Sequence, residues 1–338
     1  MKTITDILSD IKLLSKKEQQ TLIKSINLEL DDFTDSIAQL IEVRQDLQEK
    51  EKFTCPHCES DNIVGHGNYK GRKRYKCRSC KKTFNDLTGT SVSCIHKKEK
   101  WKSYLNCIAN NMTLREAARH VGISYRTSFL WHHKIIGAFK DVGCTKLEGI
   151  IEGDETFFLY SEKGDKTIEG RNPRKRGGKA SKAGINNEHV AVIVSTDRNK
   201  QPIIEVAGRG RITAKQIDKC LGKWIGEKAS VLSSDSHRSY ESFAKSKELK
   251  HVKINASKGQ RVKDKVYHVQ NINNIHHLLK DWIKQFNGVA TRYLQNYMNW
   301  FRILRIAGND MSKILDYVLT SKNAFVSVKN IKPHYIIS

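Results

Sequence analysis

Four cysteines stand in two tight pairs, Cys55-Pro-His-Cys58 and Cys77-Arg-Ser-Cys80. Two such pairs place four thiolates on two short knuckles, the arrangement that closes a tetrahedral Zn²⁺ site. The segment between them has few large apolar residues, so bound metal would supply its folding energy. Disulfides are disfavoured because nothing marks the chain as secreted. A second set of residues is oxygen-rich: Asp154, Asp235 and Asn273, with Lys280 two helical turns beyond Asn273. Two carboxylates and an amide oxygen are hard ligands, suited to Mg²⁺ rather than to a soft metal.

The elements that must position this second set follow from periodicity. Residues 149–158, 189–197 and 202–208 read as three strands with short connections, an antiparallel meander. Helices over 213–225 and 237–247 alternate with strands over 230–236 and 251–257, and a strong helix follows at 271–286. The class is α/β, and the order βββαβαβα is that of the ribonuclease-H-like fold. In that topology the first strand, the end of the fourth strand and the last helix converge, which are the places of Asp154, Asp235 and Asn273. On the last helix, Ile272, Ile275, Leu279, Trp282 and Phe286 form the apolar stripe, with Asn273, His276, His277 and Lys280 on a neighbouring face. Strand alternation turns Glu155 away from the face of Asp154.

The charge balance names a partner class. Lys and Arg number 60 against 36 Asp and Glu, and a net +24 favours nucleic acid over an acidic membrane. No apolar run is long enough to span a bilayer. The excess begins only after the acidic first segment, at the cysteine knuckles, where Arg72 and Arg74 sit among lysines with Tyr69, Tyr75 and Phe84 interleaved. That mixture suits phosphate contact with stacking. Residues 111–136 then read as two helices about Gly122: Thr113 and Glu116 form a capping box and Ser124 caps the second helix. In a helix-turn-helix, that second helix offers Tyr125, Arg126, Thr127 and His132 or His133 to DNA. A polar loop between the first two catalytic strands concentrates further cations, among them Lys163, Arg174, Lys175 and Arg176, and reads as a DNA-binding loop.

These motifs together resemble the bacterial insertion-sequence transposases of the DDE class, in particular the group with an N-terminal zinc ribbon and Asn in place of the last Glu. The resemblance runs over residues 53–306. It rests on the cysteine pairs, on TLREAARHVGISYRTSFLWHHKII, on GDETFF around Asp154, on SSDSHRSY around Asp235, and on HVQNINNIHHLLKDWIKQF, where Asn273 takes the third catalytic position and Lys280 its associated lysine. It implies cleavage of 3′ strands at the element's ends and their transfer to target DNA. The implied cofactors are two Mg²⁺ ions held by Asp154, Asp235 and Asn273, with Mn²⁺ as substitute, and a structural Zn²⁺. The implied partners are terminal inverted repeats, target DNA and further copies of the chain, in a cytoplasmic, nucleoid-associated setting without membrane. The expected organisation is a helical segment (1–52), zinc ribbon (53–90), helix-turn-helix (91–147), ribonuclease-H-like catalytic domain (148–306) and C-terminal tail (307–338). The competing readings are a DNA-binding regulator on an inactive ribonuclease-H-like scaffold, and a metal-dependent nuclease.

Overall fold

The computed structural model describes residues 10–16, 18–19, 22, 41, 45–46, 53–69, 72–93, 95–165, 167–168, 177–255, 261–308 and 310–320. Most of the expected helical segment 1–52, the loop cations Arg174, Lys175 and Arg176, and the tail after residue 320 lie outside them. Two compact units emerge, one ending at Ala138 and resuming at Ala307, the other running from Phe139 to Ile306. No described helix is long and apolar enough to cross a membrane.

The first unit begins with a small antiparallel sheet of β1 (Ile63–Tyr69), β2 (Arg72–Cys77) and β3 (Thr83–Phe84). Its apolar content is slight: Phe53, Ile63, Tyr75 and Phe84 pack around buried Cys55 and Cys77. Three helices follow, α1 (Trp101–Ala109), α2 (Leu114–Val121) and α3 (Tyr125–Ala138). The predicted capping box is present: Glu116 N–H donates to Thr113 Oγ1 at 3.5 Å, and Thr113 N–H donates to Glu116 Oε2 at 2.9 Å. Gly122 ends α2 at φ 64°, a conformation open to glycine at little cost. Lys100 Nζ donates to the Val121 and Gly122 carbonyls at 3.0 and 3.1 Å, satisfying the helix end with a cation. Tyr104 Oη donates to the Ser128 carbonyl at 2.7 Å and Ser128 Oγ to the Leu114 carbonyl at 2.8 Å, so all three helices share one buried polar junction.

The expected tail beyond 307 is in part structure. Met311–Thr320 form a helix that buries Ile314, Val318 and Leu319 against α1 and α3. Its partners lie some two hundred positions away in sequence, which a local reading does not see.

In the second unit, five strands line up in the order β6-β5-β4-β7-β8. They are β4 (Leu147–Leu159), β5 (His189–Thr196), β6 (Ile203–Arg209), β7 (Ile225–Ser234) and β8 (Lys250–Lys253). The meander β4-β5-β6 is antiparallel, while β7 and β8 run parallel to β4. Helices α4 (Ala214–Leu221) and α5 (Arg238–Ser246) cover one face through Ile217, Leu221, Tyr240 and Phe243. On β4 the residues Ile151, Gly153 and Phe157 face this layer. The alternate set, Glu152 and Asp154, faces α6 (Gln270–Lys284). A hairpin of β9 (Val262–Lys263) and β10 (Tyr267–His268), absent from the sequence expectation, precedes α6.

Helix α7 (Thr291–Ala307) secures the far edge. Buried Gln295 accepts the Val206 N–H at 2.7 Å and donates to the Ile204 carbonyl at 3.1 Å, completing the outer ladder of edge strand β6. Arg302 is 1% exposed and spends its guanidinium on the Val142 and Phe139 carbonyls at 2.6 and 2.8 Å. These charge-assisted bonds hold the chain leading into β4. Arg302→Ala leaves buried carbonyls without donors, and a loss of about 3 kcal/mol is expected. Urea unfolding of the variant against wild type measures it.

Candidate active site and cysteine centre

Asp154 lies in the interior of β4, opposite Val194 of β5, with a side chain 25% exposed. Asp235 follows the last residue of β7. Parallel pairing of β4 with β7 brings those two strand positions together. Asp235 Oδ1 accepts the His237 N–H at 3.0 Å, which fixes the carboxylate ahead of α5. The Asp154 carboxyl is pushed up to about 7, first by burial, then by the charges of Glu155 and Asp235; Lys280 only partly offsets them. Glu155 is raised as well, by burial and by Asp235. As alternation predicts, its side chain lies on the other face of β4, beside Tyr240. Desolvated carboxylates repelling one another are what a bound cation relieves, and their oxygens are donors that Mg²⁺ accepts.

The last helix arrives with its predicted stripe inward: Ile272, Ile275 and Leu279 are buried. The two histidines, equivalent by sequence, separate. His277 is exposed and pairs with Asp281 at 3.2 Å. His276 is buried, with Nδ1 3.8 Å from Asp154 Oδ2, and its Nε2 has no hydrogen-bond partner among the described residues. Burial and then Lys280 lower His276 to about 4, so the imidazole beside Asp154 is neutral at pH 7. The positive charge facing the carboxylates is therefore that of Lys280. Asn273 is exposed, one turn before His276 on the same helix. Thus Glu155, Asp235 and Lys280 act on Asp154 and His276 lies beside it, while Asn273 is exposed one turn away on the same helix. By 3.6-residue periodicity His276 falls at the boundary of the apolar stripe, so spacing alone does not fix which side it takes.

The loop after β4 keeps one surprise in its described part. Lys163, grouped by sequence with DNA-facing cations, donates to the Phe286, Asn287 and Gly288 carbonyls at 3.2, 3.1 and 2.7 Å. It ties the loop base to the end of α6.

In the first unit, Cys55, Cys58, Cys77 and Cys80 bring their Sγ atoms within 4.8 Å of one another. Cys55–Cys80 and Cys58–Cys77 are 3.7 and 3.6 Å apart. A tetrahedron with Zn–S bonds of about 2.3 Å has edges near 3.8 Å, so the cluster already has the size of a zinc site. The Cys77 thiol is lowered to about 6, first by the Cys80 N–H, which offsets its desolvation, and then by that of Ser79. Arg72 and Arg74 are half-buried on β2, Arg74 donating to Thr83 Oγ1 at 3.2 Å. Tyr125 and Arg126 are exposed in the first turn of α3, and Thr127 N–H is held by Ser124 Oγ at 3.1 Å. His132 and His133, expected as alternatives at the DNA surface, are instead 1% and 2% exposed. The buried stripe of α3 is wider than its aliphatic residues imply.

Residues 146–302 match the ISXO2-like transposase domain. The chain is similar to an uncharacterized protein in transposable element ISH50 of Halobacterium salinarum, 26% identical over 255 residues, covering 74% of this chain and 84% of that one. Among solved structures, it is similar to a pre-cleavage Mos1 transpososome (10% identity, 63% of this chain and 77% of that one, TM-score 0.23). It is likewise similar to a Mos1 transposase paired-end complex with left transposon end (10% identity, 65% and 79%, TM-score 0.24). The residues that match the ISXO2-like transposase domain all lie within the second unit.

The raised Asp154 acid has a sign that can be measured. Its contribution to stability is fully present below pH 4 and is lost as pH rises through about 7, because the folded state then holds an ionised, desolvated carboxylate. In Mg²⁺-free buffer, Asp154→Asn should therefore melt a few degrees above wild type at pH 8 and level with it below pH 4; calorimetric scans at the two pH values check this. Separately, stripping thiolate-bound metal should abolish the ordered amide signals of residues 53–84 in an NMR spectrum, and added Zn²⁺ should restore them.

Proposed function

We propose that the chain is the transposase of an insertion sequence, cleaving 3′ strands at the element's ends and joining them to target DNA in a Mg²⁺-dependent, ribonuclease-H-like domain (148–306). The observation that carries the reading is the Asp154–Asp235 pair: a desolvated Asp154 with the exposed Asp235 carboxylate at the neighbouring strand end and Lys280 acting on it. A structural ion pair would neutralise such acids with an equal number of cations. Here a cation deficit remains at the one place where the parallel strands β4 and β7 meet α6.

Asp154 and Asp235 would hold Mg²⁺, with Asn273 adding an uncharged oxygen from the α6 face. When bound, the metal activates the attacking hydroxyl and stabilises the leaving oxygen of an in-line phosphoryl displacement. The protein's own contribution is positional. Backbone pairing fixes Asp154, the His237 N–H fixes Asp235, and neutral His276 packs beside Asp154 without competing for the cation's role. Lys280 supplies positive charge for a phosphate next to the scissile bond. Asn in place of a carboxylate leaves the set one negative charge short, so metal affinity should depend on the DNA phosphate.

Recognition of the ends is assigned to the first unit. The cysteine centre organises a basic zinc ribbon (53–90), and α2 with α3 form a helix-turn-helix within 91–147. In that motif Tyr125, Arg126 and Thr127 meet the groove, while Arg72 and Arg74 meet the backbone. Arg174, Lys175 and Arg176 are assigned to the strand held by the catalytic domain. The complex would join two ends through more than one copy of the chain.

Asp154→Ala and Asp235→Ala should each reduce strand cleavage by at least about 10³-fold while DNA-end binding stays within a few-fold of wild type. Asn273→Ala should be severely impaired and Asn273→Asp partly active. Gel-resolved cleavage and joining of labelled end DNA in Mg²⁺ is the measurement; full activity in both aspartate variants refutes the assignment.

A further inference from the structure

Two residues before Asp154, and on the same face of β4, Glu152 is a carboxylate with no exposed surface. A buried glutamate is tolerated only when its charge and lone pairs are met. Four groups from outside β4 meet this one. Arg198, in the turn between β5 and β6, reaches Oε1 at 2.7 Å. Asn271, in the first turn of α6, donates its backbone N–H to Oε2 at 3.1 Å and its amide Nδ2 to Oε1 at 2.6 Å. His268 of β10 lies 3.4 Å from Oε1. Arg198 also donates to the Val266 carbonyl at 2.7 Å and contacts His268 Nε2 at 3.0 Å, so the hairpin is fastened by the same guanidinium.

Every connection converges on the start of α6. The N-cap Val269 makes no side-chain cap bond, and the Gln270 N–H donates to His268 Nδ1 at 3.4 Å. The next N–H, that of Asn271, is satisfied by Glu152, an anion placed where the helix dipole favours one. Side chain and backbone of one residue, Asn271, grip the same carboxylate, which sets the rotation of the helix about its axis as well as its height over β4. A helix is stiff along its length, so what is set at Asn271 is transmitted to Asn273, His276 and Lys280 on the following turns.

We propose that Glu152 is a positioning residue for the Asp154 site: its buried carboxylate locks the first turn of α6 and so sets the register at which Asn273 and Lys280 face the catalytic carboxylates. Glu152 touches neither substrate nor reacting atoms. It acts through Asn271, and its negative charge is balanced by Arg198 rather than by a metal. The inference rests on the assignment of Asp154 and Asp235 as the reaction centre. A shift of one ångström in such a centre costs on the order of 100-fold in rate.

The test uses the full-length protein and three variants: Glu152→Gln, Asn271→Asp, and the two combined. In the single variants the carboxylate–amide grip is lost, through loss of charge in one and through repulsion between two carboxylates in the other. In the double variant an amide and a carboxylate face each other again with their positions exchanged, and Arg198 keeps an anion to bind. Each single variant should lower kcat for end cleavage about 100-fold with KM for DNA within about twofold of wild type. Each should also weaken Mn²⁺ binding, read by electron paramagnetic resonance, by about tenfold. The double variant should recover at least about tenfold in kcat over either single one. Should Glu152→Gln fail to fold, Asn271→Ser, which removes only the Nδ2 bond, carries the same readouts. A folded Glu152→Gln enzyme with wild-type kcat and Mn²⁺ affinity, or a double variant no better than the weaker single one, overturns the inference. Asp154→Ala run in parallel separates the two levels: if it too is fully active, the site assignment itself has failed.

Discussion

Like-charge repulsion at the seam of β4 and β7 is the constraint around which the second unit is arranged. Parallel pairing of those strands brings Asp154 and Asp235 to neighbouring positions, and burial desolvates Asp154 while Asp235 stays exposed. Ordinary packing would dissipate that repulsion with a salt bridge. This fold does so two residues away, at Glu152, where Arg198 and Asn271 balance the acid completely, and withholds the same treatment from Asp154. The contrast between two acids on one face of one strand supports the proposal of a reaction centre at Asp154 more than either acid alone.

The surrounding elements follow from holding that contrast in place. Helix α6 must come close enough to bring Lys280 to the carboxylates, yet its buried His276 stays neutral and adds no competing charge. Helix α7 closes the open side of edge strand β6 with Gln295 and anchors the approach to β4 with Arg302. Lys163 binds the base of the long loop to the end of α6. The first unit answers a different problem. Its small sheet has too little apolar surface to be stable on packing alone, and four thiol groups spaced for a metal take the place of a core.

Much of this was legible in the residues. The cysteine spacing alone predicted the four-thiol cluster, and the capping box at Thr113 and Glu116 appeared at the positions its pattern requires. The central strands were readable because β5 and the middle of β4 are apolar, whereas the polar first half of β7, Ile225–Ala229, escaped the expected strand over 230–236. What escaped had physical reasons. A fully buried glutamate in a strand looks like any exposed one until its partners, up to 119 positions away, are known. The two-residue strands β9 and β10 are too short to show alternation. His276 and His277 are chemically identical in sequence, and only the rotation of α6 sends one inward. Asn273, chosen for its amide oxygen and its place on the helix, is exposed, which spacing on the helix does not decide.

The central claim is that Asp154 and Asp235 form a cation site and not a frustrated piece of core. Direct titration of Mn²⁺ into the zinc-loaded protein, followed by electron paramagnetic resonance, addresses it without any assumption about DNA. The account predicts saturable Mn²⁺ binding to wild type that Mg²⁺ displaces and that disappears when both aspartates are replaced by Asn. Equal Mn²⁺ binding by wild type and by the doubly substituted protein would contradict it.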